Sequence, residues 1–447
     1  MRKARALFIA LLVLVGGRPA AGAQEKITLT LEKCIDLALS QNPFYLASQE
    51  RMDAAQARVR QAAAQFFPSL NAQGLQNLDE KVFVLEFPSF IPGGKPQRVA
   101  IDFTRDYQFS LNFTLPLYTG GRLTSGYRSA KLSYLASQES TRQTTNETVF
   151  NVKRGFYNYL LAQQLVGVTE EALNLAEKTL ENVKNMYEVG MASRLDLLRA
   201  EVQVANLKPP LIQARNNVAI AELSLKTLLG LDVDQPVEIS GEMTYTPVDI
   251  DLEKSLARAI ENRPELSQLQ YQKQMAGEMI KLAKADYLPT IAVSGNYNTW
   301  ADRFNFQKNN WQSFYAINLV LSIPLFNGLQ TPAKVAESEA QIREMEYTEK
   351  GLINTIKFEV QSAYLTLMNA KETLISQEKN IDEARESVRV AELNYGEGLI
   401  TITDLGAAQV ALSQARINYL RAIFDYAISL AQLEKAVGLS WREPESN

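Results

Sequence analysis

Few side chains in this sequence could carry out covalent or metal chemistry. The chain of 447 residues contains no histidine and one cysteine, Cys34. Without an imidazole there can be no Ser-His or Cys-His nucleophile pair and no histidine metal ligand. A single thiol can form neither an internal disulfide nor a cysteine-rich zinc site. Catalysis by carboxylates alone stays open, but no glycine-rich phosphate loop or cluster of metal ligands accompanies the acidic residues. We therefore predict a protein that is not an enzyme and has no cofactor.

Two aspartates occupy matching positions and could present charge. Ser193-x-x-Asp196 and Thr401-x-x-Asp404 both fit the capping box, in which two side chains bind backbone N–H groups at the start of a helix. Acidic residues are also common at helix starts because the helix dipole favours negative charge there. The spacing therefore predicts two helix starts, each of which follows a turn.

The N-terminus has the organisation of an export signal. A positively charged start is followed by ten apolar residues (6–15) and a small-x-small cleavage site from Ala21 to Ala23. Ten apolar residues are too few to span a bilayer, which needs about 20 in a helix. We predict a signal peptide over residues 1–23 rather than a buried N-terminal helix. No other long apolar segment follows, so membrane entry would require β-strands.

The remaining sequence contains an internal repeat. Residues 31–33 recur at 252–254, an offset of 221, whereas residues 115–120 recur at 323–328 with an offset of 208. The change of offset places 13 extra residues in the first copy, and the constant offset afterwards predicts equal helix lengths in both copies. The predicted organisation is a first repeat at 24–230, a linker at 231–251, a second repeat at 252–438 and a tail at 439–447.

Each copy contains two segments in which apolar residues alternate with polar ones. The predicted strands cover about 69–77 and 105–117 in the first copy, and about 290–299 and 311–325 in the second. This alternation is typical of strands with one apolar and one polar face, and about 9–11 residues is the length of a tilted transmembrane strand. A soluble sandwich is the alternative interpretation. The aromatic residues near the strand ends, where a membrane interface would lie, are Tyr107, Tyr297, Trp300, Trp311 and Phe314.

Unbroken heptad patterns follow the strands. Large apolar residues recur every seven positions from Ile353 to Tyr395, with mostly alanine three residues later. This pattern predicts an antiparallel coiled coil with the helix that returns. The predicted hairpins cover 122–229 and 330–437, and their long helices would measure about 100 Å at 1.5 Å per residue. Pro209 and Pro210 are expected to break or kink the first return helix.

Four strands cannot close a membrane sheet, because the smallest such barrels have about eight strands. Two chains would give eight strands with the interior filled by side chains, whereas three would give twelve and leave room for a pore. The strand count therefore favours a homotrimer.

These features together resemble the outer-membrane efflux protein family, the TolC-like channel-tunnels. The resemblance covers the doubled element order, the Pro-Gly turns at 116–121 and 324–328, and both Tyr-x-x-Gly…Asp-Leu turns. It implies a mainly α-helical protein with a membrane β-barrel, built from two tandem repeats of helix, β-hairpin and long coiled-coil helix pair. It also implies a homotrimer with a 12-stranded barrel in outer-membrane lipid, a periplasmic α-helical barrel, and docking through the helix tips to a periplasmic adaptor (membrane fusion) protein and an inner-membrane pump.

The resemblance also suggests a closed constriction with rings of acidic residues. Asp404 falls on the first ring position and could either face the channel axis or serve only as a helix cap. The family's second acid is replaced by Ala407, and its tip arginine by Ile400. The link between a tyrosine and an aspartate that helps to hold the closed state could form from Tyr395 and Asp196.

Apolar residues near both turns are candidates for adaptor contact, because exposed apolar residues at a tip are unusual unless something covers them. Gly190 and Gly398 can take the left-handed conformation that ends a helix. The full set of candidates is Val189, Gly190, Met191, Ser193, Gly398, Leu399, Ile400 and Thr401.

The sequence thus predicts an export channel in the cell outer membrane, serving as the exit duct of a tripartite efflux pump. The alternative within transport is the exit duct of a type I protein secretion system. A periplasmic coiled-coil adaptor fits less well, since adaptors usually need one hairpin and compact β-domains. The net charge of −4 and the lack of a basic patch argue against nucleic acid as a partner. The cargo cannot be identified from the residues.

Overall fold

The fold is known from a computed structural model that describes residues 27–78, 82–89, 91–102, 106–305, 307 and 310–439. The predicted signal peptide and all of the predicted tail beyond residue 439 lie outside the described residues. In the described part, no helix combines the length and the apolar character needed to cross a membrane.

The first repeat begins with a short strand and two helices, continues through two hairpin-forming strand pairs, and ends in a long helix and its return. Its elements are β1 (Ile27–Leu29), α1 (Leu31–Gln41), α2 (Pro43–Ala64), β2 (Ser69–Gln76), β3 (Val82–Phe87), β4 (Gln97–Asp102), β5 (Tyr107–Tyr118), α3 (Arg122–Glu188) and α4 (Arg194–Leu229).

The second repeat has the same order without the additional hairpin, and a short strand in the linker precedes it. Its elements are β6 (Val237–Ile239), α5 (Leu252–Asn262), α6 (Pro264–Lys284), β7 (Thr290–Ala301), β8 (Gln312–Ser322), α7 (Gln330–Gly396) and α8 (Ile402–Val437). The prediction of equal helix lengths is confirmed for the long pairs: α3 and α7 have 67 residues each, and α4 and α8 have 36 each.

Four strands from both repeats form one antiparallel sheet in the order β2-β5-β7-β8. The predicted strands are present, but β8 ends at Ser322, so the predicted extension to residue 325 is wrong. Pro324 explains the shorter strand, because proline has no N–H to donate to a sheet. The pairing β5–β7 joins the two repeats directly, which makes the sheet a shared element of both.

The extra residues of the first copy form a second hairpin that the sequence analysis did not identify. Strands β3 and β4 pair from Val82–Asp102 to Phe87–Gln97, and Glu86 forms an ion pair with Arg98. A further pairing, parallel, joins β1 to β6 in the linker. The linker therefore returns to the start of the first repeat and fixes the two ends of that repeat together.

Both long helices pack against their return helices as antiparallel pairs, and most of the predicted heptad positions of α7 are buried. Ile356, Val360 and Leu367 of α7 are at most 1% exposed. Of the expected break or kink at Pro209 and Pro210, the break is wrong, because the helix continues through both residues. Both prolines lie on the exposed side, where water can satisfy the carbonyl groups that lose a donor, while packed heptad residues on either side hold the helix in place.

Candidate functional site

The two turns between long and return helices have the same backbone conformation. Gly190 and Gly398 have φ values of 80° and 74°, in the left-handed region. In the first turn the N–H of Gly190 donates to the carbonyl of Tyr187 at 3.1 Å, and that of Met191 donates to Met186 at 2.8 Å. The matching bonds of the second turn are 3.0 and 2.8 Å long. Both turns are therefore Schellman ends, in which glycine avoids the strain that a side chain would meet.

Both predicted capping boxes are present. The N–H of Asp196 donates to Ser193 Oγ at 3.1 Å, and the N–H of Ser193 donates to Asp196 Oδ2 at 3.2 Å. The matching distances around Thr401 and Asp404 are 3.3 and 2.9 Å. In each box the hydroxyl group also donates to the carboxylate at 2.6 Å. Each helix therefore starts at a defined residue with its acidic side chain held in place.

The two carboxylates differ in their surroundings. Hydrogen bonds from the side chain and backbone of Thr401 hold the pKa of the exposed Asp404 carboxyl below its ordinary value, so the group is charged at neutral pH. The half-buried Asp196 instead lies 3.8 Å from the guanidinium group of Arg199 in the next turn. Asp404 thus presents negative charge to solvent more effectively than Asp196 does.

The phenol of Tyr395, in the second hairpin, is affected by the charge of a residue in the first hairpin. Burial, followed by the negative charge of Asp196, raises the pKa of the Tyr395 phenol. The phenol therefore stays protonated at neutral pH and keeps an O–H donor. Asp196 of the first hairpin therefore acts electrostatically on Tyr395 of the second. A link between these two side chains that holds a closed state stays a prediction.

An apolar cluster at the tip holds the two hairpins together. Val183 and Leu197 come from the first hairpin, and Ala391, Ile402 and Leu405 come from the second. Burying the valine, leucine and isoleucine side chains is worth roughly 1.5–3 kcal/mol each. The half-buried residues that pack against this cluster are Leu180, Ala192, Tyr395, Ile400 and Ala408. Ile400, a candidate for partner contact, is therefore partly engaged within the chain.

Three of the other tip candidates are apolar and face solvent. Val189, Met191 and Leu399 are 70, 72 and 69% exposed. Ser193 and Thr401 are exposed too, but their hydroxyl groups already serve the caps. The exposed apolar triad therefore remains as the part of the tip that is free to contact another molecule.

A groove between α4 and α8 was missed by the sequence analysis. It has a volume of about 940 Å³ and is lined by Leu195, Val202 and Val410, among others. The side-chain amide of Gln409 donates to Thr179 Oγ1 at 3.0 Å beside it. Leu195 and Val202 are spaced by seven but lie outside the heptad core positions. These two residues form a second apolar stripe on α4, and that stripe was the sequence feature that could have predicted the groove.

No group of three or more potential metal ligands is clustered within the described ranges. The site offers charge, a half-buried phenol and apolar surface.

Comparison with known proteins agrees with this architecture. The sequence profile of the family described as "Outer membrane efflux protein" matches residues 34–231 and 256–439. The chain is 25% identical to the "Probable efflux pump outer membrane protein TtgC" of Pseudomonas putida over 429 residues, which cover 92% of this chain and 84% of that protein. It is 24% identical to the "Alkaline protease secretion protein AprF" of Pseudomonas aeruginosa over 360 residues, which cover 76% and 72% of the two chains. Among solved structures, the CmeC outer membrane channel of Campylobacter jejuni superposes with a TM-score of 0.75 at 16% identity, over 91% of this chain and 85% of that one. The family match covers most of the chain, and the fold agrees with it over nearly the same span. This chain therefore belongs to the outer membrane efflux protein family.

Proposed function

We propose that this outer-membrane protein is the exit duct of a tripartite efflux pump, through which substrates pass from the periplasm to the exterior. The observation that carries the proposal is the union of a two-faced sheet with two helical hairpins about 100 Å long. The sheet has the length and the apolar face that a membrane requires. The hairpins supply the length that a periplasmic passage needs.

The edges of the sheet support assembly from several copies. Among the described residues, strands β2 and β8 each pair on one side only, which leaves rows of backbone groups without a strand partner in a single chain. On β8 the apolar residues Ile317 and Leu319 are 77 and 70% exposed. Three copies joined through β8 of one and β2 of the next would close a twelve-stranded sheet around a pore.

The helices continue the same lateral surfaces. Because α3 packs on α8, α4 and α7 lie on opposite sides of the four-helix layer. Phe358 and Leu365 are exposed on α7, and Ile212 and Leu223 are exposed on α4. Such apolar stripes on two outer faces fit a neighbouring copy on each side. A homotrimer would thus bury apolar surface along its whole length.

The tip supports two further roles. Three Asp404 carboxylates brought together near a channel axis would attract cations and form the constriction. An electrostatic link between Tyr395 and Asp196, together with the tip cluster, would hold the hairpins in the closed arrangement. We assign adaptor docking to Val189, Met191 and Leu399, with the α4–α8 groove as the seat for an amphipathic helix of the adaptor.

Efflux is favoured over protein secretion by the relatives. The similarity to an efflux pump component extends over 92% of this chain, compared with 76% for the protease secretion protein. No ligand constellation in the described residues identifies a cargo, so we place substrate choice in the inner-membrane pump.

The mass of the detergent-extracted protein and its conductance in a planar bilayer test the duct together. We expect a mass of three chains and small currents that prefer cations. A single-chain mass would contradict the trimer, and a folded, membrane-extracted sample without pores would favour the adaptor interpretation.

Docking is tested by cysteines placed at Met191 and Leu399, because the native Cys34 is buried. Both positions should crosslink to the adaptor of the same organism. A cysteine at Lys379, which is exposed far from the turn, is the matched control and should not. Equal crosslinking at all three positions would remove the tip from the docking surface.

A further inference from the structure

The four strands of the shared sheet contain no Asp, Glu, Lys or Arg on either face. The segments Ser69–Gln76, Tyr107–Tyr118, Thr290–Ala301 and Gln312–Ser322 consist only of apolar, amide, hydroxyl, aromatic and small residues. On a face that contacts lipid, the absence of charge is expected, because charged residues there cost about 2–4 kcal/mol at the bilayer midplane. On a face that lines water there is no such cost, so contact with lipid does not explain why that face lacks charged residues.

The register separates the two faces. Directly paired residues share a face, and one row runs Leu111, Tyr297, Tyr315. That face is apolar from this row to the helical end, whereas Gln76, Thr299 and Ser313 add polar groups near the other end. The opposite face contains amide and hydroxyl groups in three successive rows, on all four strands in the first row and on β2, β5 and β7 in the other two. These rows are Ser69–Thr114–Ser294–Asn318, Asn71–Asn112–Asn296–Ala316 and Gln73–Ser110–Asn298–Phe314. We call this surface the amide face.

Charges begin only where the strands end, and there they occur as compensated groups or in both signs. At the helical end, Asp286 accepts hydrogen bonds from Arg122 at 2.5 Å and from Lys334 at 2.9 Å. At the other end, Asp302 and Arg303 follow β7 with opposite signs. Neither end therefore imposes a single sign of charge on the amide face.

We propose that the amide face lines an uncharged segment of the duct, which passes cations and anions alike and leaves selection by charge to the helical end. The inference rests on the proposed function, because it needs the amide face to enclose water. Channels select by charge through rings of ionised side chains. Amide and hydroxyl groups can donate and accept hydrogen bonds, so they solvate solutes of either sign or none. The cargo class that fits this segment is therefore any solute narrow enough to pass, including neutral and amphiphilic molecules.

Introduced thiols can measure the local charge at this face. The only native thiol does not interfere, since burial raises the pKa of Cys34 to about 12 and keeps it from reacting. The variants Asn112→Cys and Asn296→Cys, in lipid nanodiscs, are treated with two methanethiosulfonates of similar size, one sulfonate and one trimethylammonium. The thiolate attacks the reagent's sulfenyl sulfur, which forms a mixed disulfide and releases methanesulfinate. Intact-protein mass follows both rates.

The expected result is a cation-to-anion rate ratio within about twofold of that for a small free thiol in the same buffer. Adding Thr114→Asp to Asn112→Cys should raise the ratio at least about threefold, because a carboxylate then lies two residues away on the same face. Thr114→Asn is the uncharged matched control and should leave the ratio unchanged. A ratio that departs from the free thiol by threefold or more without any added charge would overturn the neutral segment.

Thiols on the opposite face separate this failure from failure of the duct itself. Leu111→Cys and Leu319→Cys should react with neither reagent, because lipid covers that face. If they react as fast as Asn112→Cys, the sheet is not embedded and the proposed function fails. If neither face reacts, the amide face encloses no water, and the inference fails with the duct's pore. Agreement between Asn112→Cys and Asn296→Cys guards against a local folding defect at one of them.

Discussion

The two repeats solve one packing problem with different side chains. In the first repeat, Asn42 caps α2 and its side-chain amide donates to the carbonyl of Leu228 at 2.8 Å. In the second repeat, Arg263 occupies the matching position and donates to the carbonyl of Ala436 at 3.3 Å. The target carbonyls are related by the repeat, since both lie near the end of a return helix. The backbone junction is therefore repeated, whereas the chemistry that holds it is not.

Arg263 also does what an asparagine cannot. Its guanidinium group is nearly buried and forms ion pairs with Glu359 of α7 at 2.7 Å and with Glu265 at 3.1 Å. The second contact is not aligned as a hydrogen bond, because both the Nε of Arg263 and the Oε2 of Glu265 remain without a hydrogen-bond partner. The second junction therefore depends on a buried charge, and the first does not.

Replacing Arg263 should have the largest effect on stability. Arg263→Leu removes the bond to Ala436 and leaves Glu265 and Glu359 without their counter-ion. We expect a loss of about 3 kcal/mol, at the lower end for a broken buried pair because Glu359 is partly exposed. Urea unfolding of the detergent-solubilised protein, followed by circular dichroism, measures it.

Asn42→Leu is the matched control for that variant. It removes one helix cap and one hydrogen bond but leaves no charged group without a counter-ion. The expected loss of unfolding free energy is therefore about 1–2 kcal/mol. Equal losses for the two variants would show that the charges of the second junction contribute nothing beyond the shared hydrogen bond.

The glycines beside the two junctions should also differ in the stability lost on substitution, but here the first repeat should be the more sensitive one. Gly230 and Gly438 both have left-handed φ values, 73° and 78°. A Cβ at Gly230 would lie 2.4 Å from the carbonyl oxygen of Gln41, whereas one at Gly438 would come no closer than 3.2 Å to the backbone near Arg263. Gly438→Ala should cost about 1–2 kcal/mol for the backbone conformation alone. Gly230→Ala should cost more, since the backbone of residue 41 must also move. Equal unfolding midpoints for the two variants would contradict the closer approach in the first repeat.

The two turns at the tip also differ between the repeats, in the surroundings of their acidic residues. Their backbones and capping boxes agree, but Asp196 has Arg199 nearby and Asp404 depends on Thr401 alone for its bonds. Asp404→Asn should reduce the cation preference of the channel several-fold in planar-bilayer recordings, because an exposed carboxylate is lost. Asp196→Asn should change it less, because Arg199 already offsets that charge. An unchanged ion selectivity in Asp404→Asn would leave Asp404 as a cap only.

Much of this fold follows from local patterns in the sequence. Heptads predicted the long helices, alternation predicted the faces of β5 and β7, and glycines with capping boxes predicted the turns. Each of these patterns lies within a single helix, strand or turn. The β3–β4 hairpin was not predicted, since residues 82–87 are a nearly continuous apolar run without alternation. The continuity of α4 through its prolines depends on packing against α3, which local patterns do not contain.

The site was predictable to the same extent. The sequence identified Asp196, Asp404 and Tyr395, and the family resemblance paired Tyr395 with Asp196. Neither indicated the apolar cluster that joins the two hairpins or the different partners of the two acids. The bond from Asn42 to Leu228 spans 186 residues, and the pair of Arg263 and Glu359 spans 96. Such contacts depend on tertiary packing, so the repeat could show equivalent positions but not what each one contacts.

The smallest expected effect is the pH dependence of the second cap. Hydrogen bonds from Thr401 lower the pKa of Asp404 in the folded chain, whereas the unfolded chain keeps a value of about 3.9. A depressed folded pKa gives a contribution that is fully present above the unfolded value and is lost as the pH falls through the folded value. The difference in unfolding midpoint between the native protein and Asp404→Asn should therefore be constant from pH 7 to pH 5 and should shrink below pH 4. Three carboxylates crowded near one axis would repel each other and raise their pKa. A difference that already shrinks between pH 6 and pH 5 would thus contradict an isolated cap and indicate that the three Asp404 side chains lie close together in the trimer.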